Sequence, residues 1–261
     1  MVSVSNNQLN YYQFSHMATL PNIVHGIFTR QGGESQGNYA SLNVSFNVGD
    51  DVNRVKNNLK RIVHELGLPH LQSLKQTHSC KIHVVNTSPI ETMIGDALIT
   101  AQPDILLLVK TADCQPVILV DPVNTIVAAI HSGWRGSVQN IIGATIAKMS
   151  DLGTNPQKII AGIGPSLGPC CAEFIHFKQE LPEYMWSYAV HPNFFDFWAI
   201  SKTQLQNAGV CGNNIEISEI CTRCHPALFY SYRRKKVSGR FASVIGIEKK
   251  TKMQASCLNL H

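Results

Sequence analysis

The chain has 261 residues, 44% apolar and 15% charged, enough apolar side chain for a large core and too little charge for a disordered chain. A formal charge of +5 and a pI near 8.8 suit an anionic small molecule. The cationic runs RRKK (Arg233 to Lys236) and KKTK (Lys249 to Lys252) are too few for a nucleic-acid face and read as solvated loops. The N-terminal MVSVSNNQLNYYQF lacks a charged and apolar leader, and the longest apolar runs, such as ILLLV, fall far short of a membrane span, so the expectation is a cytoplasmic protein with reduced cysteines and no membrane partner.

In chain order, IVHGIFTR (Ile23 to Arg30) reads as a strand and RQGGESQGNYASLN as a polar, Gly-rich loop. From Asp51, the apolar residues Val52, Val55, Leu59, Ile62, Val63 and Leu66 fall at helical spacing, and Gly67 stands where a helix would end. The runs KIHVV, ALIT, DILLLV, PVILV and TIVAAI each read as strands. Ser137 is placed to cap a helix carrying Val138, Ile141, Ile142, Ile146 and Met149, with Gly153 as its stop. KIIAGIG is a further strand opening into GPSLGPCC; a helix covers roughly Phe194 to Ala208, ending at Gly209; NIEIS and FASVIGI close the chain as strands. Many of these strands are apolar throughout, which predicts burial on both faces and sheets covered by helices in one unit. No composition break divides the chain.

Three of these segments end on chemically active side chains. SLKQTHS places His78 after a short strand or turn, LLVKTADCQP places Cys114 after an apolar strand, and IVAAIHSGW places His131 after the next. Strand ends of this kind are common ligand sites. Two imidazoles and a thiolate make a three-ligand tetrahedral site with one open position, suited to Zn²⁺ and also to copper. The same residues also permit a metal-free reading, with Cys114 as a nucleophile activated by His78 or His131. The spacings of 36 and 17 residues match no short metal motif and do not separate the two. Arginines near Gly-rich backbone suggest phosphate binding: Arg30 before QGG, Arg135 in GWRG four residues after His131, and Arg233 and Arg234 after FYSY. CTRCH (Cys221 to His225) matches a haem-attachment pattern, but that chemistry needs export. Its two cysteines are also half of a zinc site with no second half in view, and the adjacent Cys170 and Cys171 read as small buried side chains.

HSGWRG, TADCQP, KQTHS, RQGGESQGNYASLNV, GPSLGPCC and CTRCHPALFYSYRR with SGR together resemble the YfiH/YlmD-like laccase-domain family, known as polyphenol oxidases, as purine nucleoside phosphorylases and, for one relative, as a peptidoglycan-editing factor. The resemblance runs from about His25 to Ile247 and implies one domain over residues 1–261. The implied fold is α+β, a multilayer sandwich of two mixed β-sheets flanked by helices. It implies a metal site at His78, Cys114 and His131, holding zinc or alternatively copper, and a substrate- and phosphate-binding set of Arg30, Asn43, Arg135 and Arg233. The implied activity is phosphorolysis of adenosine, inosine, guanosine and methylthioadenosine to base and ribose 1-phosphate, with an accompanying adenosine deaminase activity. Asp113, beside Cys114, is the acid candidate for deamination. Two departures bear on nucleoside preference: Ser45-Phe46-Asn47 stands where relatives often carry Gly-x-His, and Lys235 where an Asp commonly follows SYRR. The competing activities are a low-activity copper oxidase of phenols, although none of the 11 histidines forms an H-x-H, a cysteine hydrolase or amidase acting on peptidoglycan precursors, and a non-catalytic nucleotide-binding module.

Overall fold

The computed structural model describes residues 1–87 and 93–249; Lys250 to Lys252 of the KKTK run lie outside them. In chain order the elements are β1 (Val2–Asn6), β2 (Leu9–Gln13), α1 (Ser15–Ala18), β3 (Ile23–Phe28), α2 (Val52–Leu66), β4 (His70–Lys75), β5 (Ile82–Val84), β6 (Met93–Ile94), β7 (Ala97–Thr100), β8 (Ile105–Thr111), β9 (Gln115–Asp121) and β10 (Ile126–Ser132). There follow α3 (Trp134–Val138), α4 (Ile141–Asp151), β11 (Ile160–Ile163), α5 (Phe177–Glu180), β12 (Ala189–His191), β13 (Phe194–Phe195), α6 (Phe197–Asn207), β14 (Ile215–Ile217) and β15 (Phe241–Ile247). The first large sheet has the order β1-β2-β3-β15-β8-β4-β6 and the second β14-β11-β9-β10-β7-β5. Both are mixed. β4 runs parallel to β8 and β6, β5 to β7 and β11 to β14, while the central pairs are antiparallel.

Side-chain alternation along the apolar strands sets the layers. In β8, Ile105, Leu107 and Val109 meet Ile118 and Val120 of β9 and Val127 and Ala129 of β10 between the sheets. Leu106 and Leu108 of β8 point the other way, onto Ile62 and Leu66 of α2. In β9, Val117 and Leu119 pack on Ile142, Ile146 and Met149 of α4. The order through the molecule is therefore helix, sheet, sheet, helix, and the double-faced burial explains why these strands read as unbroken apolar runs.

Local signals account for most boundaries. Asp51 caps α2 by accepting from the N–H groups of Asn53 and Arg54, and Gly67 ends it with φ 70°. The helix expected to start at Ser137 is two: α3 already contains Ser137, and Asn140, at φ 56°, caps α4 by accepting from the Gly143 N–H. The Ser137 hydroxyl is engaged with that of Ser132 at 3.1 Å. The helix expected from Phe194 starts at Phe197, capped by Asp196, because Phe194 and Phe195 pair with β12. The β1–β2 hairpin, through Asn7 and Gln8 at positive φ, was absent from the sequence reading. Among the described residues no helix is long and apolar enough to cross a membrane.

Candidate functional site

Residues 112–114 carry the chain from β8 in one sheet to β9 in the other. Cys114 sits on that crossing. His78 follows β4, the parallel neighbour of β8, and His131 is the penultimate residue of β10. One potential ligand atom from each of His78, Cys114 and His131 lies within 4.8 Å of the others. The three residues picked out at strand ends thus meet at the seam between the sheets.

Asp96, unremarked in the sequence, organises this meeting. Fully buried, its Oδ1 accepts from His131 Nδ1 at 2.8 Å and from the His78 backbone N–H at 3.0 Å. Its Oδ2 accepts from the Ser79 N–H and hydroxyl, both at 2.7 Å, and its carbonyl oxygen from the His131 N–H at 2.7 Å. One carboxylate therefore fixes the His131 ring, leaving Nε2 for the site, and holds His78 in its left-handed turn at φ 58°. Burial opposes the charge on Asp96, but hydrogen bonds from His131 and Ser79 and the His131 charge hold its carboxyl well below the usual range.

The Gly of HSGW is required by close approach. A Cβ on Gly133 would stand 2.5 Å from His78 Nδ1 and 3.1 Å from the Cys114 sulfur. Burial pushes the Cys114 thiol up, yet the charges and hydrogen bonds of His131 and His78 bring it down to about 6. Burial lowers His131, whereas Cys114 and Asp96 raise it to about 9. Both shifts favour a thiolate beside an imidazolium in the metal-free pair.

These groups open into a cavity of about 630 Å³. Its cations are Lys75, Lys110, Arg233 and Arg240, with Asp113 the one acid among the described residues that line it. Trp134, Phe174, Phe197 and Tyr232 form apolar walls, and Ser45 and Asn47, at the departure from Gly-x-His, line it too. Lys110 donates to the Leu74 carbonyl at 2.7 Å, and burial lowers its ammonium to about 8. Asp113 accepts from the Thr222 hydroxyl at 2.7 Å and the Arg233 N–H at 2.6 Å, so this carboxylate ties the CTRC turn to the Arg233 turn.

Of the expected binding set, Arg233 lines the cavity, while Arg30, Asn43 and Arg135 are not among its lining residues. Arg30 stacks over the Tyr230 ring at 4.4 Å and donates to the carbonyls of Ala40 and Pro226. Arg135 is exposed and stacks over Trp134 at 4.3 Å. Asn43 is buried and accepts from the N–H groups of Ser45 and Arg240 at 3.1 and 2.9 Å, so it acts behind Arg240, a cavity cation that the sequence reading missed. The SGR motif that carries Arg240 was its only sequence signal. Lys235 lies in an exposed turn outside the cavity.

The model of the family described as multi-copper polyphenol oxidoreductase laccase matches residues 24–248. The chain belongs to this laccase-like family. Relatives include a purine nucleoside phosphorylase of Bacteroides thetaiotaomicron, 32% identical over 95% of this chain and all of that one. The purine nucleoside phosphorylase YlmD of Geobacillus stearothermophilus is 33% identical over 85% of this chain and 89% of its own. Solved structures share the fold. YfiH of Bacillus licheniformis superposes with a TM-score of 0.83 at 28% identity, covering 93% of this chain and 97% of its own. YlmD of Geobacillus stearothermophilus superposes with a TM-score of 0.81 at 29% identity, covering 94% and 98%. The expected α+β sandwich of two mixed sheets is the fold observed. The family's description mentions several coppers, but the described residues bring together only two groups of potential metal ligands, His78/Cys114/His131 and four cysteines.

Proposed function

We propose that this chain is a metal-dependent purine nucleoside phosphorylase that also deaminates adenosine, acting where His78, Cys114 and His131 face the cavity. The observation that carries the reading is the content of that one cavity: a His/Cys/His group, flanking cations and aromatic walls. The volume suits a nucleoside with phosphate. The names of the relatives supply the same substrate class.

The donor set fits a bound metal. Two imidazoles and a thiolate within 4.8 Å of one another, one imidazole backed by a buried carboxylate, match a three-ligand zinc site with an open position; copper suits the same donors. When bound, the ion supplies Lewis-acid chemistry, polarising an oxygen or easing loss of a proton from water. The chain's own residues do the rest. Arg233, Arg240, Lys75 and Lys110 hold phosphate and place one oxygen against the anomeric carbon. The bond from that carbon to the purine nitrogen breaks as the bond to phosphate forms, giving free base and ribose 1-phosphate. The aromatic walls stack on the base and exclude water from it. Adenosine, inosine, guanosine and methylthioadenosine all offer the ring and sugar that this wall and cradle would grip. In deamination, water adds at the purine six-position and ammonia leaves.

The test is a mass-resolved assay with adenosine and inosine, with and without phosphate, beside a Cys114→Ala control. Ribose 1-phosphate that requires both phosphate and Cys114 is the expected result, and inosine from adenosine without phosphate establishes the deaminase. Absence of both products from zinc- or copper-replete protein overturns the reading.

A second reading has its own observation. Cys114, His131 and Asp96 stand in the order of a thiol nucleophile, a base and an orienting carboxylate, which favours a cysteine amidase acting on peptidoglycan precursors. Turnover of cell-wall peptides that survives chelation and is lost on thiol alkylation would establish it. A copper-loaded centre oxidising phenols weakly is separated from both by its need for oxygen.

A further inference from the structure

The two cysteine pairs that had no evident partner in sequence meet in space. Cys170 and Cys171 end the GPSLGPCC loop after β11, and Cys221 and Cys224 lie on the CTRC turn before β15. One sulfur from each falls within 4.8 Å of the others. The separations are 3.7 Å for Cys170–Cys171, 3.7 Å for Cys170–Cys224 and 3.6 Å for Cys171–Cys224. A disulfide would hold its sulfurs about 2.05 Å apart. A tetrahedron with zinc–sulfur bonds of about 2.3 Å has sulfur–sulfur edges of about 3.8 Å, close to these three separations, with the Cys221 sulfur within 4.8 Å of the rest.

We infer that Cys170, Cys171, Cys221 and Cys224 form a structural zinc site, a closed tetrathiolate that ties the loop after β11 to the segment before β15. The backbone is shaped for it. A Cβ on Gly168 would stand 3.0 Å from the Cys221 Cβ and 2.8 Å from the Trp198 ring, so the close approach of the two loops depends on that glycine. The N–H groups of Cys171 and Ala172 bond the Gly168 carbonyl at 2.9 and 3.0 Å, and the His225 N–H bonds the Cys221 carbonyl at 3.1 Å, closing the two turns. Ser166 bridges Cys221 directly. His225 is held to the Cys221 carbonyl through Nδ1 at 2.9 Å, outside the sulfur set, so the chelate uses cysteines alone. Four protein ligands leave no open position, which separates this site in kind from the three-ligand group.

The joined loops also build the cavity. Thr222, within the CTRC turn, holds Asp113, and Asp113 holds the Arg233 turn. Arg233 in turn donates to the Glu173 carbonyl, just past Cys171, at 2.9 Å. The tetrathiolate is thus a positioning element for one cavity cation, with no contact to substrate.

The experiment measures zinc stoichiometry by native mass spectrometry and elemental analysis on the whole chain carrying Cys114→Ser, which removes the cavity thiolate. The expected result is one tightly held zinc per chain, and cobalt exchange giving the intense charge-transfer bands of four thiolates. Adding Cys224→Ser removes that equivalent; if this double variant misfolds, the cobalt spectrum of the single variant still decides. Cys114→Ser protein that binds neither zinc nor cobalt overturns the inference, and so does a disulfide among these four cysteines in protein alkylated without reduction. The cavity reading is tested separately, since its failure would leave the cobalt spectrum unchanged.

Discussion

The molecule holds two clusters of soft ligands, and they are built in opposite ways. His78, Cys114 and His131 come from the ends of three elements in two sheets, with a buried carboxylate behind one of them. The four cysteines come from two loops and are held by backbone turns, with Cys170 and Cys224 exposed. The first cluster mixes nitrogen and sulfur, stops at three potential ligands and faces the cavity; the second is all sulfur, has four, and does not line that cavity. On the readings proposed above, ligand number and what a cluster faces, more than the presence of cysteine, separate a reactive centre from a staple.

The largest expected effect falls on the three-ligand group. Cys114→Ala or His131→Ala should lower kcat/KM for nucleoside phosphorolysis on the order of 1000-fold, equivalent to several kcal/mol of lost transition-state stabilisation, with the fold intact by circular dichroism. Near-normal turnover in either variant would place the chemistry elsewhere. Gly133→Ala should cost on the order of 100-fold, because a displacement of about 1 Å at a reacting centre has that effect, and the new Cβ would stand 2.5 Å from His78 Nδ1. Asp96→Asn should cost about 10–100-fold in metal affinity or activity, read by zinc titration beside kcat. In the second cluster, Cys170→Ser should leave the chemistry of Cys114 untouched and lower Tm by several degrees, as about 2 kcal/mol lost does in a chain of this size.

The smallest effect is a shift in pH profile. In metal-free protein the Cys114 thiol is brought down to about 6, so the thiolate dominates at neutral pH and falls to half as the pH reaches about 6. Peptide-resolved alkylation by iodoacetamide should track that fraction, with its inflection near pH 6. In His131→Ala, which removes the facing imidazolium, the inflection should rise towards the ordinary cysteine value of about 8.5. An unchanged inflection would show that His131 does not govern the thiol.

Where a local rule decides, the chain was legible. Asp51 and Gly67 bound α2 because a cap and a left-handed stop act within a few residues, and the apolar runs became strands because both of their faces are covered. The same locality misled at Ser137. Its hydroxyl has a tertiary partner in Ser132, and the cap fell to Asn140. The His/Cys/His meeting was legible as a set of strand ends, but its support was not. Asp96 precedes ALIT as an ordinary loop acid, and nothing near it in sequence shows that His78, Ser79 and His131 converge on it. Arg135 looked stronger than Arg240 because it stands beside His131 in sequence, yet Arg240 faces the cavity and Arg135 stacks on Trp134. The partner of CTRC was hidden for the same reason: GPCC lies about fifty residues upstream, a distance no spacing rule spans.

The passage of the chain from β8 to β9 through Cys114 has a mechanical consequence. Cys114, beside β9, and His131 of β10 belong to the second sheet, whereas His78 leaves β4 of the first, so the apolar layer between the sheets sets how far the chain after β4 reaches to bring His78 to them. Leu107, Ile118 and Val127, deep in that layer, set a distance at the surface that they never touch. Trimming one of them should be felt at this seam as well as in the core.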